Sequence, residues 1–210
     1  MRYLFVFLLV GLMAGCGDAS ENVKPKLKEY SWDEVTIPND LMLRKKNMKP
    51  VTGIVRNWHE NGQLSYEYNF KDGKKDGLCR DWHKNSQLES EAYYKNGELD
   101  GLERGWYDDG QQSYEGNYKD GKRDGLIRDW YYDGQLMFEE NYKDGKLDGL
   151  SRGWYEDGQQ TYENNNNDGK LDGLSRGWSE DGTLMYERIY KDGKLIEIID
   201  EWFDDSVLSD

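Results

Sequence analysis

Tryptophan recurs with a fixed period along this chain of 210 residues. Each tryptophan in the series lies 24 residues after the one before it: Trp58, Trp82, Trp106, Trp130, Trp154, Trp178 and Trp202. A fixed period of roughly 20–50 residues is typical of repeat architectures, in which stacked units bury an apolar surface that no unit can bury alone. The period therefore predicts an array of similar units.

Full units run from residue 53 to residue 196. Each unit carries two short runs rich in aromatic residues, and an Asp-Gly or Asn-Gly pair closes most of these runs. Such pairs between aromatic runs are a strong signal for β-hairpins. The sequence predicts an all-β protein, an elongated single-layer antiparallel β-meander built from 24-residue β-hairpin repeats, with about 13 strands.

The turn that follows Trp106 decides which side chains share a face of this sheet. A two-residue turn would set Arg104 opposite Glu115 and would put Trp106 and Tyr114 on opposite faces. A three-residue turn at residues 108–110 would shift the pairing by one residue, so that Arg104, Trp106 and Tyr114 share a face. Burial of a large apolar side chain contributes roughly 1.5–3 kcal/mol, against about 0.2–1 kcal/mol for an exposed ion pair. We therefore expect the three-residue turn, with arginines stacked among aromatic rings.

The aromatic face is the candidate interaction surface. The periodic tryptophans should form one row along it, about 10 Å apart, with tyrosines between them. Such a face could accept a peptide, a glycan chain or the aromatic surface of a partner protein; alternatively, the rings only pack on one another. The candidate tyrosines are Tyr66, Tyr114, Tyr118, Tyr142, Tyr162 and Tyr186.

The opposite face should carry one glutamate per unit. A catalytic carboxyl pair needs two different environments in a cleft, and equivalent glutamates on an open sheet do not provide them. We therefore expect a solvated acidic face and no catalytic residue. These glutamates are Glu67, Glu91, Glu115, Glu139, Glu163 and Glu187.

Histidine, aspartate and cysteine invite a metal or redox interpretation. His59 and His83 occupy the place where later units have tyrosine, and two strands apart they lie too far from each other to share zinc. We interpret them as substituted aromatic residues. The Asp-Gly turns match no calcium-binding loop, so at most they hold calcium weakly. Cys79 stands at a variable position and should be an inert thiol. We expect no metal and no cofactor.

The net charge of −14 and the pI near 4.7 limit the possible partners. Nucleic acids and anionic lipid surfaces attract basic patches. We therefore expect no nucleic acid and no broad electrostatic binding to lipid headgroups.

Residues 1–15 have the order of an export signal, an arginine followed by an apolar run too short to span a bilayer. The run ends at Ala14-Gly15-Cys16, which resembles the lipobox of bacterial lipoproteins, where the cysteine is acylated and becomes the mature N-terminus. By that resemblance Cys16 is the lipidation site of a lipid-anchored protein of the bacterial cell envelope, facing the periplasm or the surface. Gly17 favours the outer membrane by the same resemblance. An ordinary signal peptide is the alternative.

Further segments flank the repeats. Residues 16–29 are polar and should form the lipidated N-terminus and its tether. Residues 30–52 are predicted to be a degenerate N-terminal cap repeat that carries Trp32, and residues 197–210 a C-terminal half-repeat cap.

Two repeats depart from the common pattern. Ser86 replaces the turn glycine of the second unit, and asparagines replace the aromatic strand end at residues 164–167. We expect local opening to begin at these places.

Residues 114–125, YEGNYKDGKRDG, match the core of the MORN repeat, a Tyr-x-Gly-x-aromatic-x-x-Gly-Lys pattern. The 24-residue period and the Trp-Tyr pair before each turn resemble the bacterial MORN-variant subfamily. The resemblance implies an elongated single-layer sheet without catalytic residues. Such proteins are regarded as membrane-associated scaffolds, interaction platforms and, in many bacterial cases, antitoxin-like partners.

Together these features predict a non-enzymatic, lipid-anchored envelope protein whose sheet is an interaction scaffold for a protein or an envelope polymer. One alternative is an antitoxin-like or immunity protein that sequesters a specific toxin. Another is a glycan-acting enzyme, which would need carboxyl groups of unequal pKa in a groove.

Overall fold

The computed structural model describes residues 27–37 and 41–201, so the predicted signal peptide, Cys16 and Trp202 lie outside the described residues. One 3₁₀ helix spans Trp32–Glu34. Within the described ranges no helix is long and apolar enough to cross a membrane. The strands are β1 Glu29–Ser31, β2 Val35–Thr36, β3 Leu43–Arg44, β4 Gly53–Trp58, β5 Leu64–Lys71, β6 Lys74–Trp82, β7 Leu88–Lys95, β8 Glu98–Trp106, β9 Gln112–Lys119, β10 Lys122–Trp130, β11 Leu136–Lys143, β12 Lys146–Trp154, β13 Gln160–Asn167, β14 Lys170–Trp178, β15 Leu184–Lys191 and β16 Lys194–Glu201.

Within the described residues, one open sheet of 14 strands contains β1 and the strands β4–β16. From β4 to β16 each strand pairs antiparallel with the next strand of the chain, which makes a continuous meander. Strand β1 adds to the outer edge of β4 in parallel orientation. The predicted all-β antiparallel meander of hairpin repeats is thus confirmed.

The segment before the first repeat packs against it. Strands β2 and β3 pair with each other as a small two-stranded sheet. Val35 and Met42 of this segment join Val51, Val55 and Phe70 in a buried apolar cluster. The N-terminal end of the repeat sheet is therefore covered by apolar side chains.

Two kinds of hairpin turn alternate along the meander. In the first kind, the Tyr107 N–H donates to the Gln111 carbonyl at 2.8 Å and the Gly110 N–H donates to the Tyr107 carbonyl at 2.9 Å. Gly110 has φ of +90°, so this is the predicted three-residue turn with glycine in the left-handed region. In the second kind, Asp120 and Gly121 have φ of +48° and +75° and make a two-residue turn.

Next to the three-residue turn, strand β9 carries a one-residue β-bulge at Ser113. Trp106 pairs with Gln112 in the register that the three-residue turn sets. Beyond the bulge, Arg104 pairs with Glu115, which is the register of a two-residue turn. The extra residue cancels the shift that the turn introduces. A bulge recurs at the equivalent place in the other units.

The bulge divides the aromatic residues between the two faces of the sheet. Because side chains alternate along a strand, Arg104 and Trp106 lie on the same face, which we call the ladder face. Tyr114 pairs with Gly105 and lies on the opposite face, which we call the tyrosine face. The prediction that tryptophans and tyrosines share a face is therefore wrong, because it took the turn into account but not the bulge.

The core of the repeats lies on the tyrosine face. The third residue of most units exposes only 0–3% of its surface, as seen at Val55, Cys79, Ile127, Ser151 and Ser175. Tyrosine rings lie over glycines there: a Cβ atom added to Gly153 would come within 2.3 Å of a Tyr162 ring carbon. Rings packed on glycine positions thus give a single sheet the cover that a second layer would otherwise provide.

Candidate interaction surface

A row of tryptophans, the tryptophan row, runs along the ladder face. Its described members end alternate strands of the meander: Trp58, Trp82, Trp106, Trp130, Trp154 and Trp178. Because neighbouring strands lie about 4.8 Å apart, consecutive indoles are anchored about 10 Å from each other. Trp58 exposes 49% of its surface, and the other members are half-buried. The indoles therefore remain within reach of a partner.

Each member of the row pairs with a leucine or a glutamine on the following strand. The pairs are Trp58 with Leu64, Trp82 with Leu88, Trp106 with Gln112, Trp130 with Leu136, Trp154 with Gln160 and Trp178 with Leu184. The indoles thus lie in a mainly apolar stripe that two amide groups interrupt.

An alternating row of arginine and glutamate crosses the sheet beside the tryptophans. This charge ladder consists of Arg56, Glu67, Arg80, Glu91, Arg104, Glu115, Arg128, Glu139, Arg152, Glu163, Arg176 and Glu187, each directly opposite the next. At its centre a Glu139 carboxylate oxygen lies 3.3 Å from Arg128 Nε, and the other oxygen lies 3.6 Å from Arg152 Nη1. From Glu91 to Arg176, each rung contacts an opposite charge on both sides, whereas Glu67 and Arg80 face each other without a salt bridge.

The charge ladder corrects two predictions from the sequence. The glutamates do not form a solvated acidic face, and the ladder arginines pair with carboxylates instead of stacking among aromatic rings, because the bulge places both residue types on one face. A hydrogen bond with Glu67 raises the pKa of Arg56. Alternation makes the ladder locally neutral, so the net charge of −14 resides elsewhere in the chain.

The candidate tyrosines are separated from the tryptophan row. Tyr66, Tyr114, Tyr118, Tyr142, Tyr162 and Tyr186 all lie on the tyrosine face. Four of their hydroxyl groups form hydrogen bonds within that face, and the Tyr114 and Tyr118 hydroxyl oxygens are 2.6 Å apart. Burial raises the pKa of Tyr114 and Tyr162. These tyrosines build the core of the sheet.

A polar cluster at the centre of the tyrosine face is absent from the sequence predictions. Glu103 is half-buried at the third position of its unit, where burial raises its pKa and a hydrogen bond from Tyr118 opposes the rise. Nearby, Arg123 Nη1 donates to the Tyr142 hydroxyl at 3.1 Å, and that hydroxyl donates to a Glu140 carboxylate oxygen at 2.8 Å. A comparison of the units could have found this cluster, because other units have valine, cysteine, isoleucine or serine in place of Glu103.

The two histidines fill the structural role of the tyrosines that replace them in later units. His59 Nε2 lies 2.7 Å from the Trp82 carbonyl oxygen, and His83 Nε2 lies 2.9 Å from the Trp106 carbonyl oxygen. Tyr107 donates to the corresponding carbonyl of the next unit at 2.6 Å. The interpretation of both histidines as substituted aromatic residues is confirmed.

Other candidate chemistry can be assessed within the described residues. There, no group of three or more His, Cys, Asp and Glu side chains is arranged to hold a metal ion. Burial raises the pKa of the Cys79 thiol to about 11, so the reactive thiolate is scarce at neutral pH.

A cavity of about 760 Å³ lies between the N-terminal segment and the first hairpins. Trp32, Tyr68 and Phe70 line it, and the Lys75 ammonium lies 3.9 Å from the centre of the Tyr68 ring. Glu98 is the one carboxylate among the described residues of its lining. A carboxyl pair of the kind that hydrolyses glycosidic bonds is therefore not among them.

Comparison with known proteins places the repeats in a family. The family model described as MORN repeat variant matches residues 51–72, 75–96, 99–120, 123–144 and 171–192, which together make up more than half of the chain. No curated protein matches the chain. The matched segments coincide with the hairpin units of the meander, and such repeats are typical of proteins that act through interactions. On the sequence pattern, the fold and this match, the chain belongs to the MORN repeat variant family.

Proposed function

We propose that the protein is a non-enzymatic, lipid-anchored interaction scaffold of the bacterial cell envelope, and that the tryptophan row is its contact surface. The observation that carries the proposal is the regular row of partly exposed indoles on the ladder face. Tryptophan is enriched among the residues that dominate binding energy, because its large ring contributes much apolar area together with one hydrogen-bond donor.

The geometry of the row favours an extended partner. Anchors repeated about every 10 Å along one line fit a chain that presents apolar groups or sugar rings at regular intervals. The adjacent charge ladder is locally neutral and offers both donors and acceptors, so it neither repels nor strongly attracts a charged polymer. An extended protein segment or an envelope polymer is the partner class that matches both features.

The tyrosine face is less suited to this role. Its third-position side chains, such as Ile127 and Val55, are fully buried, and its rings cover glycines. A partner would have to displace core contacts in order to bind there.

The lipid anchor is a separate part of the proposal. It rests on Cys16 at the end of the apolar N-terminal run. A Cys16→Ala variant should lose membrane association while the repeats remain folded. Fractionation of the envelope measures this, and a variant that stays in the membrane fraction would exclude the anchor.

The contact surface is tested by crosslinking and pulldown from the native envelope. Trp130→Ala combined with Trp154→Ala should weaken recovery of the partner at least about 30-fold, since truncation of one anchor costs about 2 kcal/mol or more. Tyr132→Ala is the matched control, because Tyr132 is an aromatic residue outside the row that exposes 56% of its surface. Equal recovery by both variants would show that the row is not the contact surface. Recovery of one small, tightly bound protein would support the antitoxin-like role instead of a scaffold.

A further inference from the structure

Within the described residues, β16 is the last strand of the sheet and leaves one edge open. Strand β16 spans Lys194–Glu201 and pairs with β15 on one side only. Its other side presents a row of N–H and C=O groups without a strand partner among the described residues. Natural sheets usually protect such an edge with short strands, prolines or charges, because an open edge is a template for another strand.

Four of the eight residues of β16 are exposed apolar side chains, and the other four are charged. Leu195, Ile196, Ile198 and Ile199 expose 47%, 63%, 51% and 49% of their surface. The equivalent residues of the preceding unit are Leu171, Asp172, Leu174 and Ser175. Strand β16 has therefore gained β-branched apolar residues, which favour strand pairing.

On β16 the charge ladder has an acidic residue in place of the arginine that earlier units have. Asp200 stands directly opposite Glu187, where each earlier even-numbered strand of the ladder supplies an arginine, as Arg176 does. Like charges directly opposite each other on antiparallel strands are destabilising. The acidic pair at the open edge would be compensated by a cation on a further strand.

At the other end of the charge ladder, an added strand already supplies an opposite charge to the last ladder residue. There the short strand β1 lies on the outer edge of β4, and a Glu29 carboxylate oxygen lies 2.8 Å from Arg56 Nη1. The terminal arginine thus has an opposite charge from an added strand. Asp200 has no cation within salt-bridge distance among the described residues.

From these observations we infer that the open edge of β16 receives an extended strand of a partner protein, which carries a basic residue opposite Asp200 and apolar residues beside the exposed isoleucines. Main-chain hydrogen bonds would supply affinity, and the side-chain pairs would supply register and specificity. A second copy of this chain fits less well, because it would bring its own Asp200 and a net charge of −14 to the same edge. The inference is independent of the tryptophan row.

The test uses the full chain and two synthetic peptides. The first probe has the sequence of residues 184–191, the strand that pairs with β16 on its other side, with Glu187→Arg; the second has the unchanged sequence. Arg176 of β14 pairs with Glu187 of the following strand, and Asp200 takes the place of Arg176 in β16, so position 187 of the peptide lies opposite Asp200. We expect the arginine peptide to bind about tenfold more tightly than the unchanged peptide, which corresponds to about 1.4 kcal/mol.

Two variants make the result specific. Asp200→Arg should reverse the preference, so that the unchanged glutamate peptide binds more tightly. Ile198→Pro should abolish binding of both peptides, because proline removes an N–H group and cannot continue a ladder. Circular dichroism checks that the repeats stay folded, and Tyr132→Ala, at an exposed residue outside the row and the β16 edge, should leave both affinities unchanged.

Fluorescence anisotropy of labelled peptides measures the affinities. Equal affinity of the two peptides, or a preference that Asp200→Arg leaves unchanged, would overturn the inference. Sedimentation of the full chain provides the other decisive outcome. A dimer that Ile198→Pro dissociates would show that the occupant is a second copy and would also overturn it.

Discussion

Removal of one inner glutamate from the charge ladder should destabilise the protein more than removal of the last glutamate. Glu139 contacts Arg128 on one side and Arg152 on the other. Glu187 contacts Arg176 on one side and faces Asp200 on the other. Replacement by glutamine keeps the size of each side chain, removes its charge and leaves one acceptor oxygen in place of two.

The number of ion pairs at each glutamate determines how much unfolding free energy each substitution should cost. An ion pair on a protein surface contributes about 0.2–1 kcal/mol, and half-buried side chains lie toward the upper end of that range. Glu139→Gln removes two such attractions and should cost about 1–2 kcal/mol. Glu187→Gln removes one attraction and also one repulsion, so its net cost should be about 0–0.5 kcal/mol.

Urea unfolding at low ionic strength measures the free energy of unfolding of each variant. The dependence of that free energy on urea concentration checks that both variants expose the same surface area when they unfold. In about 1 M salt the Debye length falls to about 3 Å, so the difference between the two variants should shrink. Asp200→Arg restores the alternation and should make Glu187→Gln cost about as much as Glu139→Gln. A difference that persists in salt, or a larger cost at Glu187 than at Glu139, would refute the idea that alternation of charge stabilises the ladder.

Three further substitutions should give measurable shifts in urea unfolding. Ser86→Gly should stabilise by about 1 kcal/mol, because Ser86 has φ of +71° where glycine is unstrained; an unchanged midpoint would contradict this. Gly153→Ala should destabilise by about 1–3 kcal/mol, since its Cβ would clash with the Tyr162 ring, and an unchanged midpoint would show that the ring moves aside without cost. Glu103→Gln should stabilise at neutral pH because burial raises the pKa of Glu103 and disfavours its charged form. That gain should fade as the pH drops through the folded-state pKa and vanish below the unfolded-state pKa, where both states hold the proton; a gain that grows on acidification would exclude the explanation.

The period and the local turn chemistry could be predicted from the sequence. The tryptophan spacing defined the units, and Asp-Gly pairs marked the hairpins. The turn at Gly110 was predicted correctly because a left-handed residue after two aspartates has a direct backbone explanation. These features depend on neighbouring residues, which a single sequence displays fully.

The division of side chains between the faces could not be predicted in the same way. A single extra residue at Ser113 reverses every assignment beyond it, and nothing in the local composition marks a serine there as a bulge. Ring burial alone favours one shared aromatic face, but each ring also needs a small residue to pack on. Small residues opposite the rings, such as Gly105 and Gly153, were the available signal that tyrosines need their own face.

Because the tryptophans and the tyrosines lie on opposite faces, a single-layer sheet can have both a core and a binding surface. Rings that form the only core cannot also be free for a partner, since exposing them costs the stability of the fold. The bulge assigns the core to the tyrosine face, where Ile127 and its equivalents are inaccessible, and leaves the indoles on the other face beside charges that neutralise one another. The protein can therefore present a long aromatic row without depending on it for its core, and variants of the row should remain folded when they lose their partner.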